Sequence, residues 1–278
     1  MSRFSRGGGW SLRSGCFHAG MDIDWVQVTL STVLVALAVG VSLWRGLSIE
    51  RTIIWASFRA AVQLLAVGAV FRLIFESATA MVWAWIWVVG MIIVSAEVVK
   101  RRTPAIPMVR PGAYGALGGA LAVSLAIIFG LGVFEMEPVT FVVISGITLG
   151  NTMPSAVLAV DTAAREYREH PERVEGALAL GLDANQVQRL FVPQAIRLAL
   201  VPQVERTKVV GLIALPGAMT GMLLAGADAI SAVLVQLVIM YLILGSVAIA
   251  VVAIVTVISV RALTVDGGLA EGVPSQSA

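Results

Sequence analysis

A single cysteine, Cys16, stands in 278 residues, so no disulfide can form within the chain. Histidine is almost as scarce. With only His18 and His170 beside one thiol, soft ligands are too few for a zinc or iron–sulfur site. Charged residues make up 13% of the chain and leave a formal net charge of +2. That excess is too small to hold a nucleic acid, and no Lys/Arg stripe with interleaved aromatics occurs, so no nucleic-acid partner is expected. Catalytic patterns are missing too: there is no Ser/His/Asp set and no His-Glu-x-x-His. No Gly-x-x-x-x-Gly-Lys-Ser/Thr is present, so this chain cannot cradle ATP phosphates by that route.

What fills the chain is apolar sequence, 58% of residues, with a mean hydropathy of +0.92. Apolar runs of about 20 residues are what a hydrocarbon layer about 30 Å thick demands of a helix. The runs are continuous rather than alternating, which selects helices over a barrel. They lie at about 25–44, 53–75, 81–96, 113–134, 139–160, 209–227 and 230–260. The expected fold is therefore all-α, a polytopic bundle of about seven transmembrane helices in the cell inner (plasma) membrane, in contact with lipid. Residues 1–20 are Gly-, Ser- and Arg-rich without an apolar face and read as a disordered extension. No apolar stretch precedes Cys16, so neither a signal peptide nor a lipid anchor is expected, and Met21 is the more natural start. The transmembrane domain covers 21–263, and 264–278 is expected to be a disordered tail.

Basic residues set the orientation. Arg45 and Arg51 follow the first run, and Lys100, Arg101, Arg102 and Arg110 follow the third. Between the fifth and sixth runs stand Arg165, Arg168, Arg173, Arg189, Arg197, Arg206 and Lys208. The opposite loops carry Glu76, Glu135, Glu137 and Asp228, with Arg72 close by. The N-terminus is thus expected outside and the C-terminus inside, with a cytosolic elbow at 161–208. Within that elbow Pro171 suits a helix start, because its missing N–H would be unsatisfied there anyway. Glu172 and Glu175 suit the first turns through the helix dipole. Val174, Ala177 and Leu178 share one face, and Gly181 can end the helix in the left-handed conformation. A second helix opens at Asp183 with Gln186 three residues on, an acidic variant of the capping box, and continues through Val187 and Leu190 towards Pro193. Asp161–Arg165, Arg165–Glu169 and Glu169–Arg173 are spaced as i,i+4 pairs that extend the fifth run as a solvated helix.

Glu175-Gly176-Ala177, then Gly181, then Phe191-Val192-Pro193 resembles the EAA loop through which ABC-transporter permeases dock on their ATPase. Phe58-Arg59-Ala60-Ala61-Val62-Gln63-Leu64, Gly150-Asn151-Thr152-Met153, Ala179-Leu180-Gly181-Leu182, Lys208-Val209-Val210-Gly211-Leu212 and Leu215-Pro216-Gly217-Ala218-Met219-Thr220-Gly221 follow in the right order. Together they are similar to the FetB-type iron-export ABC permeases, over about residues 24–263. Pro154 and Ala229 depart from that pattern. The resemblance implies a transport subunit without its own cofactor, with ATP held on a separate ATPase subunit, and a homodimeric two-plus-two assembly. It implies ATPase coupling through Glu175, Gly176, Ala177, Leu178, Gly181 and Val187. Iron as cargo follows from the resemblance alone; some plant relatives are linked to nucleotide-sugar export.

Polar and helix-breaking residues inside the runs are the candidates for the transport pathway. Arg59 has Gln63 one turn further on the same face, and snorkelling to the surface is its bland alternative. Asn151 lies deeper, and Pro154 frees a backbone carbonyl beside it. Met153 and Met219 offer thioether sulfur, although methionine commonly serves packing. Pro216 and Gly217 break the sixth run, as a hinge or a pore-lining kink would. Glu97 is expected to pair with Lys100 or Arg101. Gly115/Gly119, Gly146/Gly150 and Gly217/Gly221 are spaced for close helix approach, with packing inside one bundle preferred to a dimer seam. The competing class is an ATP-independent secondary transporter or channel, which would want ionisable relay residues deep in its spans; only Arg59 qualifies.

Overall fold

A computed structural model describes residues 25–102 and 109–262. The expectations for 1–20, Met21 and 264–278 fall outside the described residues. Among these the chain is all-α: α1 (Trp25–Arg45), α2 (Glu50–Phe75), α3 (Ala80–Arg102), α4 (Val109–Gly130), α5 (Pro138–Glu169), α6 (Pro171–Ala179), α7 (Ala184–Val209), α8 (Gly217–Leu224) and α9 (Ala229–Ala262). Six of them, α1 to α5 and α9, are long and apolar enough to cross a membrane. The chain is a multi-pass membrane protein built as a helix bundle.

The expected sixth run, 209–227, is not one helix. α7 ends at Val209, residues 210–216 are irregular, and α8 has only eight residues, about 12 Å of helix. Gly211 has φ +85° and its N–H meets the Ala214 carbonyl at 3.0 Å, closing a turn that helical geometry cannot hold. The second elbow helix is also longer than the sequence suggested, running through Pro193 and Pro202. Glu169–Arg173 is no i,i+4 pair, because α5 stops at His170. Arg173 instead approaches Glu166 at 4.0 Å, while Asp161–Arg165 forms at 3.0 Å.

The chain divides into two compact units. One holds α1, α2 up to Val70 and residues 221–227. Within it Ser42 donates to Glu50 at 2.7 Å across the α1–α2 turn, where Gly46 and Ser48 have positive φ. Most apolar side chains of α1 and α2 are exposed, Leu34 and Leu64 among them.

The other unit holds residues 71–220 and 228–262 of the described chain. α5 and α9 form its axis, with α3, α4 and α7 packed around them. Its core is rich in alanine (Ala84, Ala96, Ala113, Ala116, Ala156, Ala159), which lets helix backbones come close. A Cβ on Gly112 would stand 3.3 Å from Val257, and one on Gly146 would stand 3.3 Å from Met91. A Cβ added at Gly115, Gly119 or Gly150 would meet nothing within 4 Å among the described residues. Aromatic contacts fix one end of the unit: Phe141, near the start of α5, packs on Trp85 at 4.5 Å and on Phe129, near the end of α4, at 6.1 Å.

The opposite end is equally well marked. Gly112, near the start of α4, meets Val257 and Ile258, near the end of α9. Gln188, near the start of α7, donates to the Thr256 carbonyl at 3.3 Å. Lys100, Arg101 and Arg102 close α3 here, and Glu97 pairs with Arg101 (3.4 Å) and Arg110 (3.6 Å). The positive-inside bias makes this the cytosolic end.

Candidate functional site

The elbow lies at the basic end, between the finish of α5 and the start of α7. α6 begins at Pro171, whose ring fixes φ for a first helical turn, with His170 as N-cap. It ends as the Gly181 N–H meets the Leu178 carbonyl at 2.9 Å and the Leu182 N–H meets the Ala177 carbonyl at 3.2 Å. Gly181 has φ +81°, where a side chain would cost about 1 kcal/mol or more. The next helix starts on a complete capping box. Gln186 N–H donates to Asp183 Oδ1 at 2.7 Å, and Asp183 N–H donates to Gln186 Oε1 at 2.9 Å. Two short-range signals thus fix where α6 stops and α7 begins.

Burial sorts the coupling candidates into two groups. Ala177 and Val187 are buried within the chain, and Leu178 is half-buried. Ala177 and Val187 pack inside the chain, and Leu178 keeps part of its side chain at the surface. Glu175, Gly176 and Gly181 are exposed, and so is Leu180, at 82%. Leu180 was legible only as part of a short motif; its signal is a large apolar residue directly before a glycine cap. The exposed set is small, mostly flat and apolar at one point, with Glu175 beside it.

The pathway candidates divide between the two units. Arg59 and Gln63 sit one turn apart on α2, exposed, in the first unit. Asn151 and Met153 sit on α5, both half-buried. Asn151 Nδ2 donates to the Ile147 carbonyl of its own helix at 2.7 Å. It belongs to a ladder in which Ser145, Thr148, Thr152 and Ser155 each bond a carbonyl one turn back, at 2.7–3.4 Å. α5 stays helical through Pro154. Pro216 and Gly217 mark the start of α8, with the Thr220 N–H on the Pro216 carbonyl at 2.9 Å, and Met219 is half-buried. Ala229, a departure from the expected pattern, is the first residue of α9 rather than part of a loop. Asp228 before it caps the helix by accepting from the Ser231 N–H at 3.0 Å, which holds its carboxyl below the usual range.

The profile of the family described as "Uncharacterised protein family (UPF0014)" matches residues 25–263, from the first residue of α1 to one past the end of α9. The chain belongs to the UPF0014 family. Its UPF0014 relatives include the membrane protein slr1647 of Synechocystis, 32% identical over 234 residues, covering 82% of this chain and 89% of the relative. YjkA of Bacillus subtilis is 32% identical over 231 residues, 81% of this chain and 90% of its own. The protein named "Probable iron export permease protein FetB" of Escherichia coli is 27% identical over 220 residues, 79% and 85% of the two chains. No solved structure matches the chain. UPF0014 membership covers both units and the elbow alike.

Proposed function

We propose that this chain is the permease subunit of an ABC transporter, working as two permeases with two ATPase subunits, and that it exports iron or a related metal. The observation that carries the reading is the elbow. A nine-residue helix, bounded by a proline and a left-handed glycine, presents Glu175, Gly176 and Leu180 at the basic end of the bundle. A short helix of this kind can receive a soluble partner on a small surface, and its cap joins it directly to α7. The E. coli relative named as a probable iron export permease supports the transport role and supplies the cargo. ATP would be bound and hydrolysed on the partner; this chain contributes the path and the docking surface.

The deciding experiment is copurification of a P-loop ATPase with the tagged chain, followed by transport in vesicles holding both. Fe(II), other divalent metals and a nucleotide sugar serve as parallel cargoes. Transport that proceeds without any ATPase would move the chain to the secondary transporters or channels. Nucleotide-sugar transport alone would keep the ABC assembly and replace the cargo.

Arg59 provides a residue-level check. If its guanidinium contacts cargo or a partner helix in the path, Arg59→Lys should lower vesicle transport several-fold with expression unchanged, since an ammonium cannot reproduce the guanidinium fork. Unchanged transport would return Arg59 to a surface-snorkelling role.

A further inference from the structure

We propose that α7 is the seventh crossing of the membrane, and that its polar face lines a water-filled route for a hydrophilic solute. The ends of the helices fix the path of the chain. α5 starts beside the end of α4, so it finishes at the basic end. α9 finishes at the basic end, beside the start of α4, so it starts at the opposite one. The chain between α5 and α9 must therefore pass from one end to the other. α6 and α8 have nine and eight residues, too short to make that passage. α7 has 26 residues, about 39 Å of helix, and it starts at the correct end.

Its packing follows the bundle. Gln188 meets Thr256, two residues inside the apolar span of α9 that ends at Ile258. From there Val192, Ala195, Ala199 and Gln203 stay buried, and the first three join the same core as α5 and α9. Gln188 to Gln203 covers about 22 Å, most of a hydrocarbon layer. These positions step by three and four, so they form one face of the helix.

The opposite face carries Gln194, Arg197, Val201, Glu205 and Lys208, also stepping by three and four, with Leu190, Leu198 and Val204 beside them, and every one is exposed. Glu205 and Lys208 pair at 2.7 Å; Arg197 has no ion-pair or hydrogen-bond partner among the described residues. Charge at membrane depth is tolerated where it faces a cavity or the interior of an assembly, not lipid tails. The two prolines point the same way. Pro193 and Pro202 remove the N–H groups that would serve the Arg189 and Leu198 carbonyls, and both prolines are exposed. A freed carbonyl against hydrocarbon costs several kcal/mol, whereas water satisfies it. The inference does not depend on an ATPase, since a channel could use the same face.

The test is sided labelling of single cysteines in the full chain with Cys16→Ser, in sealed vesicles of either orientation, using a charged membrane-impermeant maleimide. Arg189→Cys should react from the cytosolic side and Lys208→Cys from the other side. Arg197→Cys should react with the same water-soluble reagent, while Ile127→Cys, on an exposed face of α4, should not. Val201→Cys replaces Arg197→Cys if that variant fails to insert. Reaction of Lys208→Cys from the cytosolic side alone would make α7 a surface elbow and overturn the proposal. An Arg197 or Val201 cysteine that reacts only with a lipid-soluble maleimide would overturn it as well, by placing the face against lipid.

Discussion

Gly176→Arg is expected to strip the ATPase from the purified permease and to abolish ATP-driven transport, while the thermal unfolding of the permease alone stays unchanged or rises. Gly176 lies inside α6 and is exposed, and a Cβ added there meets nothing within 4 Å. Glycine inside a helix costs about 0.5–1 kcal/mol relative to alanine, and arginine is among the better helix formers. The free chain therefore tolerates the change. A partner docked as proposed would not, because a long cation would enter the contact at the exposed glycine. Loss of a central contact costs about 2 kcal/mol or more, roughly a 30-fold weaker complex. Leu180→Asp should act in the same direction. Ala177→Arg is a poor probe by comparison, since Ala177 is buried within the elbow and its loss would unfold the surface it was meant to test. If Gly176→Arg and Leu180→Asp both keep a bound, active ATPase, the elbow is only a connector.

Phe141→Ala should be the most damaging change to the bundle itself, with about 3–5 kcal/mol lost from stability. Phe141 is 1% exposed and holds the starts of α3 and α5 to the end of α4 through Trp85 and Phe129. It also lines an apolar groove of about 520 Å³ floored by Gly118, Ala122 and Ala126. Removing the ring enlarges that groove, so local collapse recovers few of the lost contacts. In a membrane, packing of this kind carries more of the association than it does in water. The measurement is thermal unfolding of the purified chain in detergent, with Val139→Ala, at an exposed position two residues earlier, as the control. Equal stability of the two variants would remove Phe141 from its structural role.

Much of this architecture was legible in the residues because the signals are local. Apolar run length marked six spans, and Pro171, Gly181 and the Asp183/Gln186 pair marked the elbow, each through bonds that reach no more than a few residues. The parts that were not legible depend on neighbours distant in sequence. The broken stretch at 210–216 is as apolar as any span, and composition cannot distinguish a helix from the turn at Gly211. α7 survives Pro193 and Pro202, each a break in an isolated helix, because its Val187 to Gln203 face is held by α5 and α9. Ala177 and Val187 were marked by motif, and the motif alone does not reveal that both are buried within the chain. Gly115 and Gly119 have the spacing of a packing seam, yet among the described residues nothing stands within 4 Å of a Cβ placed there.

The ladder on α5 has a mechanical consequence. Ser145, Thr148, Asn151, Thr152 and Ser155 each donate to a carbonyl of their own helix, and among the described residues none bridges to a neighbour. α5 can therefore twist or slide against α3 and α9 without breaking an interhelical hydrogen bond from these groups; only close packing resists the motion. A helix joined to α6 and latched to its neighbours by none of these five groups can move as a push rod. Thr148→Val, which keeps the shape and removes the hydroxyl, should leave thermal unfolding within about 1 kcal/mol of the parent chain. A much larger loss would mean that Thr148 anchors α5 to a neighbour, and the rod would be fixed in place.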